Sequence, residues 1–361
     1  MRIALVSTCA VTTPPTGYGG TELVVAELAE QMVRLGHDVT VYATGDSTVA
    51  GQLHALHPHP TWPPSDLVEV RHAAFAWRDV QRRGFDVVHA HHAMHLPFAE
   101  FVDVPTVLTL HHHRDVPLIE HYLGHPRITY VAISHRQAQL APEVSFARVI
   151  HHGLDARAYP MGEGRGGYSV FLGRIALEKG PHLAIDAAVA AHMPLRLAGA
   201  PHDRSYHMRE VAPRLRRYPE LVRHVGEVTH EPKTELLRHA EALLFPIQWE
   251  EPFGLVMIES MLVGTPVIAF PYGAAPEVIE DGVTGFIVHD VDEMAARMRE
   301  VGQLDRRACR QRALERFCSQ RMASRYLDLY EEVVSGRALP RRRFTVGHAL
   351  RKPIGAAGGL P

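Results

Sequence analysis

Glu251 and Glu259, with seven residues between them, bracket the head of an apolar run that includes Phe253, Leu255, Val256, Met257 and Ile258. Leu255, Val256, Ile258, Met261 and Leu262 cover nearly every side of a helix, so an ionised Glu259 inside it needs a partner. Pro252 breaks the chain before that helix. Gly254 clears space in front of its first backbone N–H groups, which have no intrahelical acceptor, and such an N-terminus is an anion site. The chemistry this suggests is the holding of a negatively charged ligand whose hydroxyls bind the two glutamates. A second group lies in Leu172–Gly180, where a glycine-flanked turn presents Arg174 and Lys179. Arg supplies a flat bidentate fork and Lys a point charge, so the two can grip one diphosphate. Only three lysines occur in the chain (Lys179, Lys233 and Lys352), which marks Lys179 at this turn as a ligand group rather than a decoration. The plainer alternative is a surface turn in which Arg174 pairs with Glu178.

These groups need elements to hold them. Arg2–Ser7 reads as a buried strand and runs into a glycine-rich turn ending in Gly19-Gly20; a helix from Thr21 to about Leu35 and a strand Asp38–Tyr42 follow. That is a βαβ unit, which places the glycines at the carboxyl end of a parallel strand, where open α/β sheets bind ligands. The spacing is not that of a dinucleotide fingerprint. The alternation predicts further strands at Leu67–Val70, Asp86–His89, Pro105–Leu110, Ile128–Ile133 and Arg148–Ile150, with a helix over Ala73–Arg83. Histidines gather where these strands end, in His89–His95, His111–His113 and His151-His152. A metal site is the less favoured reading of them, because no Cys or carboxylate stands at the usual ligand spacing; polar lining or hydrogen-bonded core is preferred. Pro160–Gly167 has linker composition. Beyond it a second series begins: strands near Tyr168–Leu172, Leu195–Leu197, Leu221–Val225, Ala242–Phe245 and Pro266–Ala269, closed by helices Glu293–Val301 and Arg306–Val334. Asp290 reads as a helix cap. The expected fold is therefore α/β, with two doubly wound Rossmann-like domains facing a cleft.

With 361 residues, two domains are the default, and 46% hydrophobic with 22% charged residues is ordinary for a soluble globular protein. A net charge of −2 argues against a nucleic-acid partner. No apolar run approaches membrane-spanning length, the N-terminus does not read as a signal peptide, and Cys9, Cys309 and Cys318 suggest reduced thiols; a cytoplasmic protein is expected. The segment 335–361, with Arg341, Arg342, Arg343, Arg351 and Lys352, reads as a solvated basic tail, with contact to anionic lipid as the sharper and less favoured alternative.

Taken together, Glu251 with Glu259, Arg174 with Lys179, and Gly19-Gly20-Thr21-Glu22 resemble the retaining family-4 glycosyltransferases of the GT-B fold, over essentially Met1 to Val334. Val87–His91 and Gly264–Ala269 look like the same family. The resemblance implies an N-terminal acceptor-side domain (1–160), a C-terminal nucleotide-sugar-binding domain (161–316) and a last helix (317–334) that returns to the first domain. It implies that Glu251 binds the donor sugar and Glu259 the ribose, and that Gly254, Leu255 and Val256 present N–H groups to sugar and distal phosphate. Arg174 and Lys179 would neutralise the leaving diphosphate, Gly20 would let the first-domain loop close over it, and His111 would touch the sugar near the reacting carbon. Gly19, Gly173 and Phe253 complete the donor set, and the base would lie near Gly226-Glu227-Val228. The implied reaction moves a hexosyl group from a nucleoside diphosphate sugar, UDP-sugar before GDP-mannose, to a polar small-molecule or glycan acceptor by front-face transfer, with no cofactor and no metal. A nucleotide-sugar epimerase and a non-catalytic nucleotide-sugar sensor are the alternatives. A two-lobed periplasmic binding protein is disfavoured by the N-terminus. Gly273-Ala274-Ala275-Pro276-Glu277 and His151–Asp155 depart slightly from the family pattern.

Overall fold

The computed structural model describes residues 1–337, so the basic stretch from Arg341 onward and its suggested lipid contact lie outside the described residues. Two parallel sheets dominate. The first comprises β1 (Arg2–Val6), β2 (Asp38–Tyr42), β3 (Gln52–His54), β4 (Val87–Ala90), β5 (Thr106–Thr109), β6 (Thr129–Ala132) and β7 (Phe146–Val149), in the order 3-2-1-4-5-6-7. The second comprises β8 (Ser169–Leu172), β9 (Leu195–Ala198), β10 (Val222–Gly226), β11 (Leu243–Phe245), β12 (Val267–Ala269) and β13 (Gly285–Ile287), in the order 10-9-8-11-12-13. Their Val-, Ile- and Leu-rich strands are covered on both faces, as parallel sheets require, by two hydrophobic clusters each. In the first half the helices are α1 (Gly20–Arg34), α2 (Asp66–Arg83), α3 (Leu96–Ala99), α4 (Val116–Leu123) and α5 (His135–Leu140). In the second they are α6 (Pro181–Ala191), α7 (Arg204–Tyr206), α8 (Ala212–Arg217), α9 (His230–His239), α10 (Leu255–Leu262), α11 (Ala275–Val278), α12 (Val291–Glu300), α13 (Arg306–Phe317) and α14 (Ser319–Val334).

Strand order reverses between β1 and β4 in one sheet and between β8 and β11 in the other. At such a switch the connections leave in opposite directions and open a crevice beyond the carboxyl ends. The glycine-rich turn and the His91–His95 loop follow β1 and β4; the Arg174–Lys179 turn and the Glu250–Gly254 segment follow β8 and β11. These four stretches thus sit at the two crevices.

Three elements differ from expectation. Leu67–Val70 is no strand but part of α2: Ser65 takes the extended N-cap conformation, and Asp66 and Glu69 occupy the first turn, where the helix dipole favours them. Leu67 is 69% exposed, so its alternation with Val68 and Val70 was not a burial pattern. The edge strands β3 and β13, each three residues long, were unforeseen. The closing helix expected from Arg306 to Val334 is broken at Cys318, which is extended (φ −80°, ψ 148°), so Phe317 ends α13 rather than opening the last helix. The break has a cause: Leu154 donates to the Phe317 carbonyl (3.0 Å) and accepts from Ser319 N (3.0 Å), and a Cβ on Gly153 would lie 2.3 Å from the Cys318 carbonyl oxygen. The outgoing linker and the returning chain therefore cross side by side. After this crossing α14 lays Met322, Tyr326 and Tyr330 into the core beneath the first sheet, beside Val24 and Leu28 of α1. Asp290 caps α12 by accepting from Glu293 N at 2.8 Å.

Candidate functional site

The second-domain half of the cleft is built on backbone constraints. Gly254, at φ 83°, forms the left-handed N-cap of α10, and a Cβ there would meet Met257 Cε at 2.7 Å. Gly273 packs against Glu251 so closely that a Cβ would stand 2.3 Å from its backbone N and O, while Ala274 N donates to the Glu251 carbonyl at 2.9 Å. The turn after β8 is fastened to the segment after β11 by Gln248 N donating to the Glu178 carbonyl at 2.8 Å. These contacts hold Lys179 and Glu251 together: Lys179 Nζ pairs with Glu251 Oε2, which also accepts from Trp249 Nε1 at 2.8 Å. The ammonium sits 4.8 Å from the Trp249 ring centroid, a cation–π contact. Arg174 pairs with Glu178 at 3.1 Å, as the plainer reading of that turn expected, but its Nε is buried without a hydrogen-bond partner among the described residues. Gly173 opens the turn.

Glu259 is 5% exposed inside α10, and the partner that the sequence demanded is Lys233 of α9, at 2.5 Å, supported by the Tyr159 hydroxyl at 3.1 Å. Burial, and then the Glu259 carboxylate, push the Tyr159 hydroxyl far above the usual phenol range, so it remains a donor. Phe253 is buried against His152 and Phe317. Val228, with Val225 and Val256, packs on the edge of the same core, leaving Gly226 (φ 78°) and Glu227 at the crevice.

The first domain approaches this half directly. A Cβ on Gly17 would lie 3.2 Å from Glu227 Oε1, and one on Gly20, the first residue of α1, 3.2 Å from Leu255 Cδ1. Gly19 precedes it as the cap of α1, packed on Pro15 and Val11. Glu22 is buried behind the loop, its carboxyl pushed up by burial and hydrogen-bonded by the Thr8 hydroxyl. Tyr18 faces Arg174, whose positive charge partly offsets the upward push of desolvation on the phenol. The domains are bolted together beside the cleft by Arg136 of α5, whose guanidinium grips Glu250 at 2.5 and 2.9 Å, and by His135 N on Glu277 at 3.0 Å.

His111 follows β5 and belongs to a buried imidazole series. Its Nε2 meets His91 Nδ1 at 2.9 Å, and its ring stacks on His152 at 5.3 Å. Burial holds His91 and His111 well below the usual imidazole range, so both are neutral. His91 Nε2 is buried without a partner among the described residues, which disfavours a proton there. The proton then sits on His91 Nδ1 and donates to His111 Nε2, leaving His111 Nδ1–H as a donor. Behind them His89 bridges Thr109 (2.7 Å) and the Tyr330 hydroxyl (2.6 Å).

Gly19 and Gly20 thus lie at the first crevice and Gly173, Arg174, Lys179, Glu251 and Gly254 at the second, whereas His111 follows β5, Val228 follows β10 and Glu259 lies inside α10. The sequence assigns no site role to Trp249, Lys233, Tyr18 or Arg136, and it gives His91 only as polar lining at a strand end. The rarity of lysine that singled out Lys179 applied equally to Lys233; for the others no local signal exists.

A family model for glycosyl transferases group 1 matches residues 163–316, and one for glycosyltransferase family 4 matches residues 18–158. Glycogen synthase of Mycobacterium tuberculosis is 28% identical over 97% of this chain and 99% of that protein. The crystal structure of AviGT4, a glycosyltransferase involved in avilamycin A biosynthesis, is 25% identical with a TM-score of 0.71, covering 93% of this chain and 98% of its own. Anabaena HepE in complex with UDP-glucose superposes with a TM-score of 0.72 at 19% identity, covering 92% and 100% of the two chains. Among the described residues no helix is long and apolar enough to cross a membrane.

Proposed function

This chain belongs to the family-4 glycosyltransferases of the GT-B fold, and on that premise we propose that it moves a hexosyl group, with retention, from a nucleoside diphosphate sugar to a polar acceptor. The observation that carries the proposal is the meeting of Arg174, Lys179, Glu251 and the uncapped N-terminus of α10 at one switch point, opposite Gly20 and His111. A UDP-sugar is the preferred donor, supported by the UDP-glucose complex of the structural neighbour HepE; GDP-mannose is next.

Both cations are paired within the chain, Lys179 with Glu251 and Arg174 with Glu178. An entering diphosphate takes over both cations, which frees the Glu251 carboxylate to accept the sugar's hydroxyls. Glu259, anchored by Lys233 and Tyr159, accepts the ribose hydroxyls. The C1–O bond of the donor then breaks and its electron pair passes to the diphosphate. The growing negative charge meets Arg174, Lys179 and the N–H groups of Leu255 and Val256, which are already oriented. These groups supply the neutralisation that a metal supplies in other transferases. The acceptor oxygen attacks C1 on the face the diphosphate leaves, and its proton goes to the departing phosphate oxygen. His111 Nδ1–H steadies the sugar from the first domain, and closure of the loop at Gly20 excludes water.

The test begins with thermal shift against UDP-, GDP- and ADP-sugars, followed by transfer assays with the best binder. Glu251→Ala is expected to lower transfer by about 10²–10³-fold while UDP affinity by calorimetry is largely kept. Unchanged turnover, or an epimerised donor in place of a glycosylated acceptor, would overturn the proposal.

A further inference from the structure

Inside the first domain three side chains converge that the donor site does not use. Glu69 comes from the first turn of α2, and His92 and His95 from the loop after β4; one potential ligand atom from each lies within 4.8 Å of the others. Glu69 is 3% exposed and His95 0%. Glu69 Oε1 accepts from Cys9 N at 2.7 Å, but its Oε2 and both ring nitrogens of His95 are buried without hydrogen-bond partners among the described residues. Leaving three such atoms unsatisfied is costly in an apolar interior. Nevertheless Glu69 Oε2 and His95 Nε2 face each other at 3.7 Å. That is too long for a hydrogen bond, so a shared proton does not explain the geometry. The separation does suit two ligands of one ion, because metal–ligand bonds of about 2.0–2.1 Å place neighbouring ligands roughly 3.3 Å apart in a tetrahedron. His92 holds only a 3.3 Å bond from Met94 N to its Nδ1, weak enough to exchange, and it is the partly exposed member through which an ion could enter. The rings of His72 and Trp77, 6.0 and 5.7 Å from His95, close the other sides.

We propose that Glu69, His92 and His95 form a binding site for one divalent first-row transition ion, of which zinc is the natural probe, with a remaining position open to solvent beside His92. Two neutral imidazoles and one carboxylate suit such an ion better than magnesium or calcium, which take oxygen-rich shells. The ion ties together α2, the loop after β4 and, through Cys9 N on Glu69, the loop after β1. Those two loops flank the first-domain crevice and carry His91, which orients His111. The ion is a fastening of the acceptor-side wall and takes no part in neutralising the diphosphate.

The full chain, stripped with EDTA and desalted, is titrated with zinc chloride and, separately, cobalt chloride. One equivalent of zinc bound at micromolar concentration or below is expected, with visible cobalt absorption of a nitrogen–oxygen site and a rise in Tm on zinc addition. Glu69→Gln and His95→Gln are each expected to weaken zinc binding by at least about tenfold, while His135→Ala, in a second His/Glu cluster formed with His151 and Glu277, leaves it intact. UDP affinity of the stripped protein should be unaltered. Failure of the wild-type protein to take up zinc overturns the proposal whether or not the variants fold. Binding that survives both Gln variants, or that is lost in His135→Ala, overturns it as well.

Discussion

Glu259 is the residue whose environment the sequence describes most completely, and Lys233 the one it hides best. An apolar run with a carboxylate in it announces that a partner exists, because an unpaired buried charge is prohibitive. It does not say which cation, since Lys233 lies 26 positions upstream on another helix. The same limit hides Arg136, which meets Glu250 across 114 positions, and Trp249, whose ring matters only because Lys179 arrives above it. What could be read locally was the charge type and the bare backbone around Gly254; what could not was every pairing that tertiary structure creates. The Lys233–Glu259 pair gives a measurable consequence. Lys233→Met leaves the Glu259 carboxylate buried with Tyr159 alone, and removing one member of a buried pair costs about 3 kcal/mol. A Tm lower by several degrees and weaker UDP binding are expected; a Tm within a degree of wild type would show that the pair is not structural.

Among the elements, α10 depends on its first residue outside the helix. A side chain at Gly254 must adopt a left-handed conformation at φ 83° and displace Met257 Cε. Gly254→Ala is expected to cost about 1–2 kcal/mol and to shift the N–H groups of Leu255 and Val256 off the phosphate position. UDP affinity by calorimetry should fall at least tenfold, and an unchanged affinity would show that these N–H groups do not contact the ligand. The central parallel strands were readable because strands buried on both faces form continuous apolar runs. The edge strands were not: β3 pairs only with β2, and β13 hangs its three residues on β12. The first turn of α2 was misread because Leu-Val-Glu-Val alternates like a strand, while the feature that decides it, Ser65 as an extended cap, is a matter of backbone geometry. That misreading also concealed Glu69, which faces inward only as part of a helix.

Across the whole molecule, buried titratable groups set the response to acid. Burial holds His89 and His152 at about 3 and His151 at about 4, and His111 well below its usual range. Each contributes stability that is present above pH 6.5 and is lost as pH falls toward the folded value. Glu27 and Glu277, raised by burial to about 7, act in the opposite sense: their contribution is present below about 4.5 and fades as pH rises through about 7. The lowered imidazoles, His91 and His95 among them, outnumber the raised carboxyls of Glu22, Glu27 and Glu277, so Tm should climb between about pH 5 and pH 6.5 and flatten or fall slightly above 7. A calorimetric Tm independent of pH below 6.5 would contradict this account of the histidine series. The side-by-side crossing at Leu154 and Cys318 has one further consequence. Because α14 supplies core to the half it did not come from, a polypeptide severed between Pro160 and Gly167 is still topologically shared: the downstream fragment keeps one arm inside its neighbour. Two fragments, residues 1–160 and 168–337, expressed as separate genes should therefore recognise each other and elute as a single particle, whereas removal of residues 319–337 from the second should send them apart.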